Sequence, residues 1–319
     1  MNIVVLGAGN WGTVLAKVLA ENNNNITLWT IEPDVAQDIR ENKVNSKYLP
    51  NIILPNNISV EENLETALKD TEMIILAVPS HIVPIVSKQV TSHYTNQIIV
   101  DIAKGFDQNT NKRMSEIIED IIPNATIVAL SGPSIANEVA QKIPTCVSIA
   151  SNNTEALQKV HQAFQTDYFK LYKTNDIVSL ELGGSLKNII AIAAGMCDGL
   201  NYGINTKSAI ITLGLKELAT LAQALGGNKE TMYGLSGLGD LLVTSISQHG
   251  RNRKLGDLLG QGKTLEEIQQ SQIQVMEGVQ ATKICKSLTE QYNLNLPLIT
   301  FIYDILFNNA DPKNIVNFL

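Results

Sequence analysis

Cysteine, aromatic side chains and long hydrophobic runs are all scarce in this 319-residue sequence. The three cysteines, Cys146, Cys197 and Cys285, lack metal-ligand spacing, which is typical of reduced thiols in a cytoplasmic protein. We find no apolar run of the ~18 residues that a membrane span needs. The start of the chain leads directly into the apolar residues 3–6, without the basic segment of a secretion signal. We therefore expect a cytoplasmic protein without stable membrane insertion.

Positive charge is also in short supply, because 24 basic residues face 31 acidic ones and the net charge is −7. Nucleic acids and anionic membranes attract positively charged surfaces, so general nucleic-acid binding is not expected. A local basic pocket remains compatible with this balance. The four histidines show no metal-ligand spacing, so no metal site is predicted.

Short apolar runs alternate with helical patterns in the first half of the chain. Runs on consecutive residues are typical of strands covered on both faces, and their alternation with helices predicts a doubly wound, mostly parallel α/β sheet. From about residue 177 the pattern is helical. We therefore predict an α/β domain over residues 1–180 and an all-α domain over residues 181–319. The predicted strands lie at 3–6, 26–29, 73–78, 98–102, 127–130 and 146–150, and the second-half helices near 179–200, 206–225, 252–260, 264–270, 277–292 and 298–308.

A G-x-G-x-x-G pattern occupies residues 7–12, between the first predicted strand and the first predicted helix. The pattern alone is weak, but in this context it predicts the dinucleotide site of a Rossmann-type domain. Gly7 would make the tight turn, Gly9 would admit the pyrophosphate, and Gly12 would let the helix pack on the sheet. The helix N-terminus, with Asn10 and Trp11, would face the phosphates.

The turn after the second predicted strand bears on the choice of cofactor. Glu32 lies 20 residues past Gly12, where an acid would bond a ribose 2′-hydroxyl, and neither Ile31 nor its neighbours in the turn are basic. These two residues favour NAD over NADP. Alternatively, Glu32 is a solvated loop acid, and Arg40 or Lys43 reaches the 2′-phosphate of NADP.

Seven short segments spread over residues 7–278 carry a resemblance to a known family. They are GAGNWGT (7–13), YLP (48–50), AKG (103–105), SGPSIA (131–136), GSLKNIIAI (184–192), GLSGLGDL (234–241) with RN (251–252), and VMEG (275–278). The chain resembles the bacterial NAD(P)-dependent sn-glycerol-3-phosphate dehydrogenases. The resemblance implies reversible hydride transfer between NAD(P)H and dihydroxyacetone phosphate, giving sn-glycerol 3-phosphate for glycerophospholipid synthesis, in a homodimer. Ile31 departs from the basic residue of many members, and Gly250 from the usual serine.

Lys187 is the general acid/base that the resemblance implies, and its helical context suits that role. At 100° per residue, Lys187, Ala191, Ala194 and Asp198 form a small or polar stripe, with Asn188 beside it, that could border a cleft. A lysine in a desolvated pocket has a lowered pKa and could protonate the ketone oxygen as hydride reaches the carbon. The alternative is a surface lysine on an ordinary helix.

Further candidates follow the predicted strands, where α/β sheets bind ligands. The resemblance implies that Lys104 contacts substrate and cofactor, Gly132 and Ser134 the substrate, and Ala136 the cofactor. Pro79, after the third strand, is expected to flank the cofactor. Alternatively, Lys104 is a solvated loop residue, Ser134 caps a helix, and Pro79 only ends a strand.

The second half supplies the remaining candidates. Asp240 would hold Lys187 or bond a substrate hydroxyl, with Thr244 one turn on joining it, or it would cap its helix. Arg251 and Asn252, with Gly250 before them, are expected to clamp the substrate phosphate at a helix start, where the alternative is a basic surface turn. The resemblance also implies cofactor contacts for Arg251, and for Val275 and Glu277.

Two competing functions remain open at this point. One is another two-domain hydroxyacid dehydrogenase, of the 3-hydroxyisobutyrate or ketopantoate type, which would not need a phosphate clamp at Arg251. The other is a dinucleotide-sensing regulator without turnover, which would have no use for Lys104, Lys187 and Asp240 together.

Overall fold

The computed structural model describes residues 1–247, 250–271 and 277–319, and its internal contacts divide the chain into two units. The first unit comprises residues 1–107 and 112–177, and the second comprises residues 108–111 and 178–319. The first unit combines a β-sheet with helices, and the described part of the second unit contains helices and loops.

The first unit is built on an eight-stranded sheet of order β3-β2-β1-β4-β5-β6-β7-β8, in which only the β6–β7 pair is antiparallel. Consecutive residues of β1 alternate between the two apolar cores that cover the sheet, which explains why the central strands appear as unbroken apolar runs. The strands are β1 Asn2–Leu6, β2 Asn25–Trp29, β3 Ile58–Glu61, β4 Met73–Leu76, β5 Ile98–Asp101, β6 Thr126–Ser131, β7 Thr145–Ala150 and β8 Phe169–Thr174. The helices are α1 Asn10–Glu21, α2 Pro33–Asn42, α3 Leu64–Leu68, α4 Val83–Thr91, α5 Met114–Ile121, α6 Ala136–Ala140 and α7 Thr154–Phe164.

This architecture confirms the predicted Rossmann-type sheet and its six predicted strands. The two strands that the sequence did not reveal, β3 and β8, are the edges of the sheet. They alternate buried with more exposed residues, as Phe169 and Leu171 do with Lys170 and Tyr172, so they lack the consecutive apolar residues of a strand covered on both faces.

The second unit is helical throughout its described residues. Its longest helix, α8, is buried on all sides from Ser179 to Cys197, so the expected contrast between an apolar face and an open polar stripe is not observed. The helices are α8 Ile177–Gly199, α9 Ile204–Ala224, α10 Lys229–Met232, α11 Asp240–Ile246, α12 Arg251–Gly260, α13 Leu265–Ser271, α14 Glu277–Gln291 and α15 Pro297–Phe307. A π-helical turn, Leu235–Gly239, precedes α11.

By length and composition, α8 meets the criteria for a membrane span, with 23 residues and a mean hydropathy of 1.4. This corrects the expectation that no apolar segment reaches such a length. However, 89% of its apolar window is buried inside the protein. Burial of that extent is typical of the central helix of a helical core.

Glycines bring α8 and α12 into backbone contact. A Cβ atom on Gly195 of α8 would lie 2.0 Å from the carbonyl oxygen of Arg253, and one on Gly256 of α12 would lie 1.9 Å from that of Ile192. Neither position can therefore accept a side chain without moving a helix backbone. This contact fixes the start of α12, which carries Arg251 and Asn252, relative to the helix that carries Lys187.

Candidate active site

The glycine-rich turn between β1 and α1 has the geometry of a dinucleotide cradle. Gly7 has a φ of +119°, and a Cβ on Gly12 would lie 2.0 Å from the Gly7 carbonyl oxygen. Beyond its two chain neighbours, no atom of the described residues lies within 4 Å of where a Cβ on Gly9 would be, and no side chain caps α1. The space beside Gly9, at the uncapped start of α1, fits a pyrophosphate. The adjacent Trp11 ring packs against Phe169, so its side chain has a structural role.

At the end of β2, Glu32 is held by two side chains. The Tyr48 hydroxyl donates to the Glu32 carboxylate at 2.8 Å, and Lys47 forms an ion pair with the same group and a second one with Asp34 at 3.5 Å. The hydrogen bonds from Lys47 and Tyr48 hold the pKa of Glu32 below its ordinary value. Glu32 is therefore an organised carboxylate rather than a freely solvated loop acid.

The alternative phosphate ligands lie elsewhere. Arg40 is paired with Glu62 at 2.8 Å, and Lys43 is the C-cap of α2, whose N-cap is Glu32. The ten-residue helix between Glu32 and Lys43 is about 15 Å long. Neither side chain is in contact with Glu32, and the contact of either with a 2′-phosphate stays a prediction. Sequence reasoning missed Lys47 and Tyr48, although the Tyr-Leu-Pro segment that begins at Tyr48 was one of the family signals.

Buried Asn45 ties this segment to the glycine-rich turn. Its side-chain amide donates to the Ala8 carbonyl oxygen and the Thr13 hydroxyl, both at 2.8 Å, and its oxygen accepts the N–H of Tyr48 at 3.2 Å. Asn45 is 1% exposed. Hydrogen bonds through Asn45 therefore connect the turn to the segment that holds Glu32.

Another polar group follows β5 and β6. The Lys104 ammonium and the Ser134 hydroxyl both donate to the Gly132 carbonyl oxygen, at 3.4 and 3.0 Å. Gly132 has a φ of +149°, and a Cβ there would lie 2.9 Å from the Val147 Cα. Ser134 does not cap α6, because the N-cap of that helix is Ile135 and Ala136 is its first residue, which corrects the capping alternative. The structure brings Lys104, Gly132 and Ser134 together, as one set of substrate residues would require.

Pro79 follows β4 as the N-cap of a short 3₁₀ turn, Ser80–Ile82. Its side chain is exposed. Its position between the end of β4 and the start of this turn agrees with a strand-ending role. Its cofactor contact stays a prediction. Ile31 is 76% exposed beside Glu32, a position that leaves it available to a bound molecule.

Lys187 and Asp240 form a buried ion pair in the second unit. Their side chains are 10% and 2% exposed, which contradicts the alternative of a surface lysine. Asp240 is the first residue of α11, and the N-cap is Gly239, so the carboxylate is not a helix cap. Because breaking a buried pair leaves an uncompensated charge, each partner holds the other in place.

Two neighbours of this pair, Thr244 and Gly183, make contacts with the chain around Asp240. The Thr244 hydroxyl donates to the backbone carbonyl of Asp240 at 2.7 Å and so does not join the carboxylate, because a helical threonine reaches the carbonyl one turn back. A Cβ on Gly183 would lie 2.5 Å from the Ser236 carbonyl oxygen. The glycine there admits the chain that leads to Asp240.

The starts of α12 and α14 meet beside α8. The Asn252 side-chain oxygen accepts the Gly278 N–H at 3.0 Å, while Asn188 donates to the Glu277 carboxylate at 3.4 Å. Arg251 approaches Glu277 at 4.0 Å and is more than half exposed. Gly250 is the N-cap of α12 without a side-chain cap, so the helix start can receive an anion. Val275 lies outside the described residues.

Comparisons with known proteins agree with this geometry. The family model described as the NAD-dependent glycerol-3-phosphate dehydrogenase N-terminus matches residues 2–157, and the model for the C-terminus of the same family matches residues 176–317. A glycerol-3-phosphate dehydrogenase [NAD(P)+] of Fusobacterium nucleatum is 42% identical over 99% of this chain and 96% of its own. One from Clostridium botulinum is 43% identical over 97% of this chain and 93% of its own.

A solved structure supports the same relationship. The glycerol-3-phosphate dehydrogenase of Coxiella burnetii superposes with a TM-score of 0.90 at 35% identity, covering 99% of this chain and 97% of its own. The agreement in sequence and in fold extends over both units. These relatives are named for glycerol 3-phosphate and not for the hydroxyacids considered from the sequence.

Proposed function

Because the chain belongs to the NAD-dependent glycerol-3-phosphate dehydrogenase family and is thus an NAD(P)-dependent oxidoreductase, we propose that it uses Lys187 to interconvert dihydroxyacetone phosphate and sn-glycerol 3-phosphate. The observation that carries the proposal is the buried pair of Lys187 and Asp240. We assign the physiological direction to reduction, which supplies glycerophospholipid synthesis. The enzyme acts in the cytoplasm as a homodimer.

Lys187 is the general acid. When bound, the dinucleotide supplies the hydride that adds to the ketone carbon. As that bond forms, the π electrons of the carbonyl move to its oxygen, which takes a proton from the Lys187 ammonium, and oxidation reverses both transfers. An ammonium has three N–H donors, so Lys187 can keep its bond to Asp240 while another donor reaches the substrate oxygen. Asn188 and Asp240 complete the catalytic group, and Thr244 supports Asp240 through its bond to the backbone carbonyl.

The start of α12 binds the substrate phosphate. Arg251 offers a planar set of donors, Asn252 an amide, and the uncapped helix start at Gly250 adds backbone N–H groups and the positive end of the helix dipole. We assign further substrate contacts to Lys104, Gly132 and Ser134. In the first unit, the Lys104 and Ser134 side chains both donate to the Gly132 carbonyl oxygen.

Residues 1–180 form the cofactor domain and residues 181–319 the substrate and catalytic domain in this proposal. The open space at Gly9 takes the pyrophosphate, and Glu32 accepts a ribose hydroxyl. The other cofactor contacts carried over from the family are those of Gly7, Asn10, Trp11, Gly12, Ile31, Pro79, Lys104, Ala136, Arg251, Val275 and Glu277.

The test follows the absorbance of NADH and NADPH, separately, after addition of dihydroxyacetone phosphate. Lys187→Ala should lower kcat by a factor of about 10²–10⁴, the usual contribution of a general acid. Lys187→Arg should be similarly inactive, because arginine keeps a positive charge on Asp240 but does not release a proton at neutral pH. Lys216→Ala, at an exposed position of α9, is the matched control and should retain wild-type activity.

Two results would count against the proposal. Folded wild-type protein that binds NADH but does not oxidise it with dihydroxyacetone phosphate would refute the substrate. Full activity in both Lys187 variants would leave the substrate standing and refute the role of the lysine.

A further inference from the structure

The cation at the ribose end of the glycine-rich turn is Lys47. It lies against two carboxylates, Glu32 and Asp34, at the carboxyl end of β2. We infer that Lys47 is the residue that lets this site accept a 2′-phosphate, and therefore NADPH, beside the 2′-hydroxyl of NADH. The inference rests on the proposed use of a nicotinamide dinucleotide and adds which residue sets its selectivity.

The position of Lys47 follows from the sheet and from Asn45. The strands β1 and β2 are adjacent and parallel, and the Gly7 N–H donates to the Trp29 carbonyl at 3.0 Å, so both strands end at the same edge. In Rossmann-type sites the adenosine ribose lies between the glycine-rich turn and the acid after the second strand. Asn45 is hydrogen-bonded to the Ala8 carbonyl of the glycine-rich turn, so Lys47, two residues later, lies near the end of β2.

The balance of charge around Glu32 determines whether the site can bind a 2′-phosphate. Two carboxylates would repel a 2′-phosphate, and Lys47 is the cation in contact with both of them. Its side chain is 47% exposed, so it has room to turn from Glu32 towards a phosphate. When it turns, the Tyr48 hydroxyl still holds Glu32 at 2.8 Å. A 2′-hydroxyl needs no such movement, because the Glu32 carboxylate can accept its hydrogen bond directly.

Arg40 and Lys43 differ from Lys47 because neither is in contact with Glu32. Arg40 donates to Glu62 and to the Val60 carbonyl, and Lys43 is at the opposite end of α2 from Glu32. The lowered pKa of Glu32, caused by its bonds to Lys47 and Tyr48, keeps it charged in neutral solution. Loss of Lys47 would thus leave two negative charges facing the 2′ position.

The experiment measures binding rather than turnover, by isothermal titration of the full-length protein. The two ligands are ADP-ribose and 2′-phospho-ADP-ribose, which differ only in the 2′-phosphate. Lys47→Gln should weaken 2′-phospho-ADP-ribose by about tenfold or more, the usual effect of losing a charge-assisted hydrogen bond, and change ADP-ribose less than about twofold. Glu32→Gln should strengthen 2′-phospho-ADP-ribose, because it removes a repelling charge.

Lys43→Gln, which removes a lysine from the other end of α2, is the control and should leave both affinities unchanged. Equal weakening of both ligands by Lys47→Gln, weakening of ADP-ribose alone, or no change would each overturn the inference. Neither ligand reports on dihydroxyacetone phosphate, so a failed substrate assay with intact ligand discrimination would refute the proposed function and leave this inference standing. With activity present, the ratio of kcat/KM for NADPH to that for NADH should fall in Lys47→Gln.

Discussion

Asn252 shows how a single backbone group can orient a functional side chain. Its oxygen accepts the Gly278 N–H at 3.0 Å, and the side chain is 8% exposed. Because the oxygen is used in this bond, the amide NH₂ is the part of the side chain left for a substrate phosphate. A Cβ on Gly278 would lie 2.6 Å from that oxygen. Glycine at position 278 therefore leaves the space that the Asn252 side chain of α12 occupies.

Gly278→Ala should displace Asn252 and weaken substrate binding. We expect kcat/KM for dihydroxyacetone phosphate to fall by about tenfold to a hundredfold, since one charge-assisted hydrogen bond is lost, mostly through a higher KM. Binding of ADP-ribose should not change. Gly203→Ala is the matched control, because no atom of the described residues beyond the chain neighbours lies within 4 Å of the added Cβ. An unchanged KM in folded Gly278→Ala would show that Asn252 does not depend on this glycine.

At the scale of helices, the α8–α12 contact opposes the usual effect of alanine. Alanine is favoured over glycine in a helix by up to about 1 kcal/mol. At Gly256, however, a Cβ would lie 1.9 Å from the Ile192 carbonyl oxygen, and backbone atoms of a buried helix cannot move aside cheaply. Overpacking should outweigh helix propensity at this position.

We therefore expect Gly256→Ala to lower the free energy of unfolding by about 1–3 kcal/mol, the usual range for overpacking. Activity should fall as well, because α12 carries Arg251 and Asn252 at its start. Urea unfolding followed by circular dichroism measures the first effect, with Gly203→Ala in α9's N-cap as the reference. A more stable Gly256→Ala variant would mean that the two helices are free to separate.

Local sequence patterns predicted the elements that are buried on both faces and the helices of the second unit except the four-residue α10. They missed β3 and β8 because an edge strand is covered unevenly, and they misjudged α8 because a helix buried all round has no distinct polar face. Lys187 and Asp240 were identified through the family segments. Local patterns could not have revealed their pairing, because the two residues are 53 positions apart in the sequence. Lys47 was missed because its partner Glu32 is 15 positions away in sequence and across α2.

For the molecule as a whole, two carboxylates give opposite responses to acid. Burial alone would raise the pKa of Glu21, but bonds from Lys17 and Tyr168 hold it below the ordinary 4.5. Burial raises the pKa of Glu217 above 4.5, although its oxygens accept the N–H groups of Leu298 and Ile299 at the start of α15. Glu21 belongs to the first unit and Glu217 to the second.

The sign of each contribution follows from which state binds more protons. As the pH falls through 4.5, Glu21 is protonated in the unfolded chain before it is protonated in the folded chain. The stability that Glu21 contributes is therefore present above pH 4.5 and is lost as the pH falls through the lowered pKa of the folded state. For Glu217 the folded chain binds the proton first. Its contribution is present below pH 4.5 and is lost as the pH rises through the raised folded pKa.

We expect Glu21→Gln to flatten the loss of stability in acid, and Glu217→Gln to remove a gain in stability as the pH falls towards 4.5. Both tryptophans, Trp11 and Trp29, lie in the first unit, so their fluorescence during urea unfolding reports on the environment of Glu21. Circular dichroism, dominated by helices, also follows the unit that contains Glu217.

The difference in unfolding free energy between wild type and Glu21→Gln should therefore shrink as the pH falls, because protonation abolishes the charge that Lys17 and Tyr168 stabilise. A difference that stays constant with pH would mean that these partners bind Glu21 equally well when it is neutral, and the electrostatic explanation of its lowered pKa would be wrong.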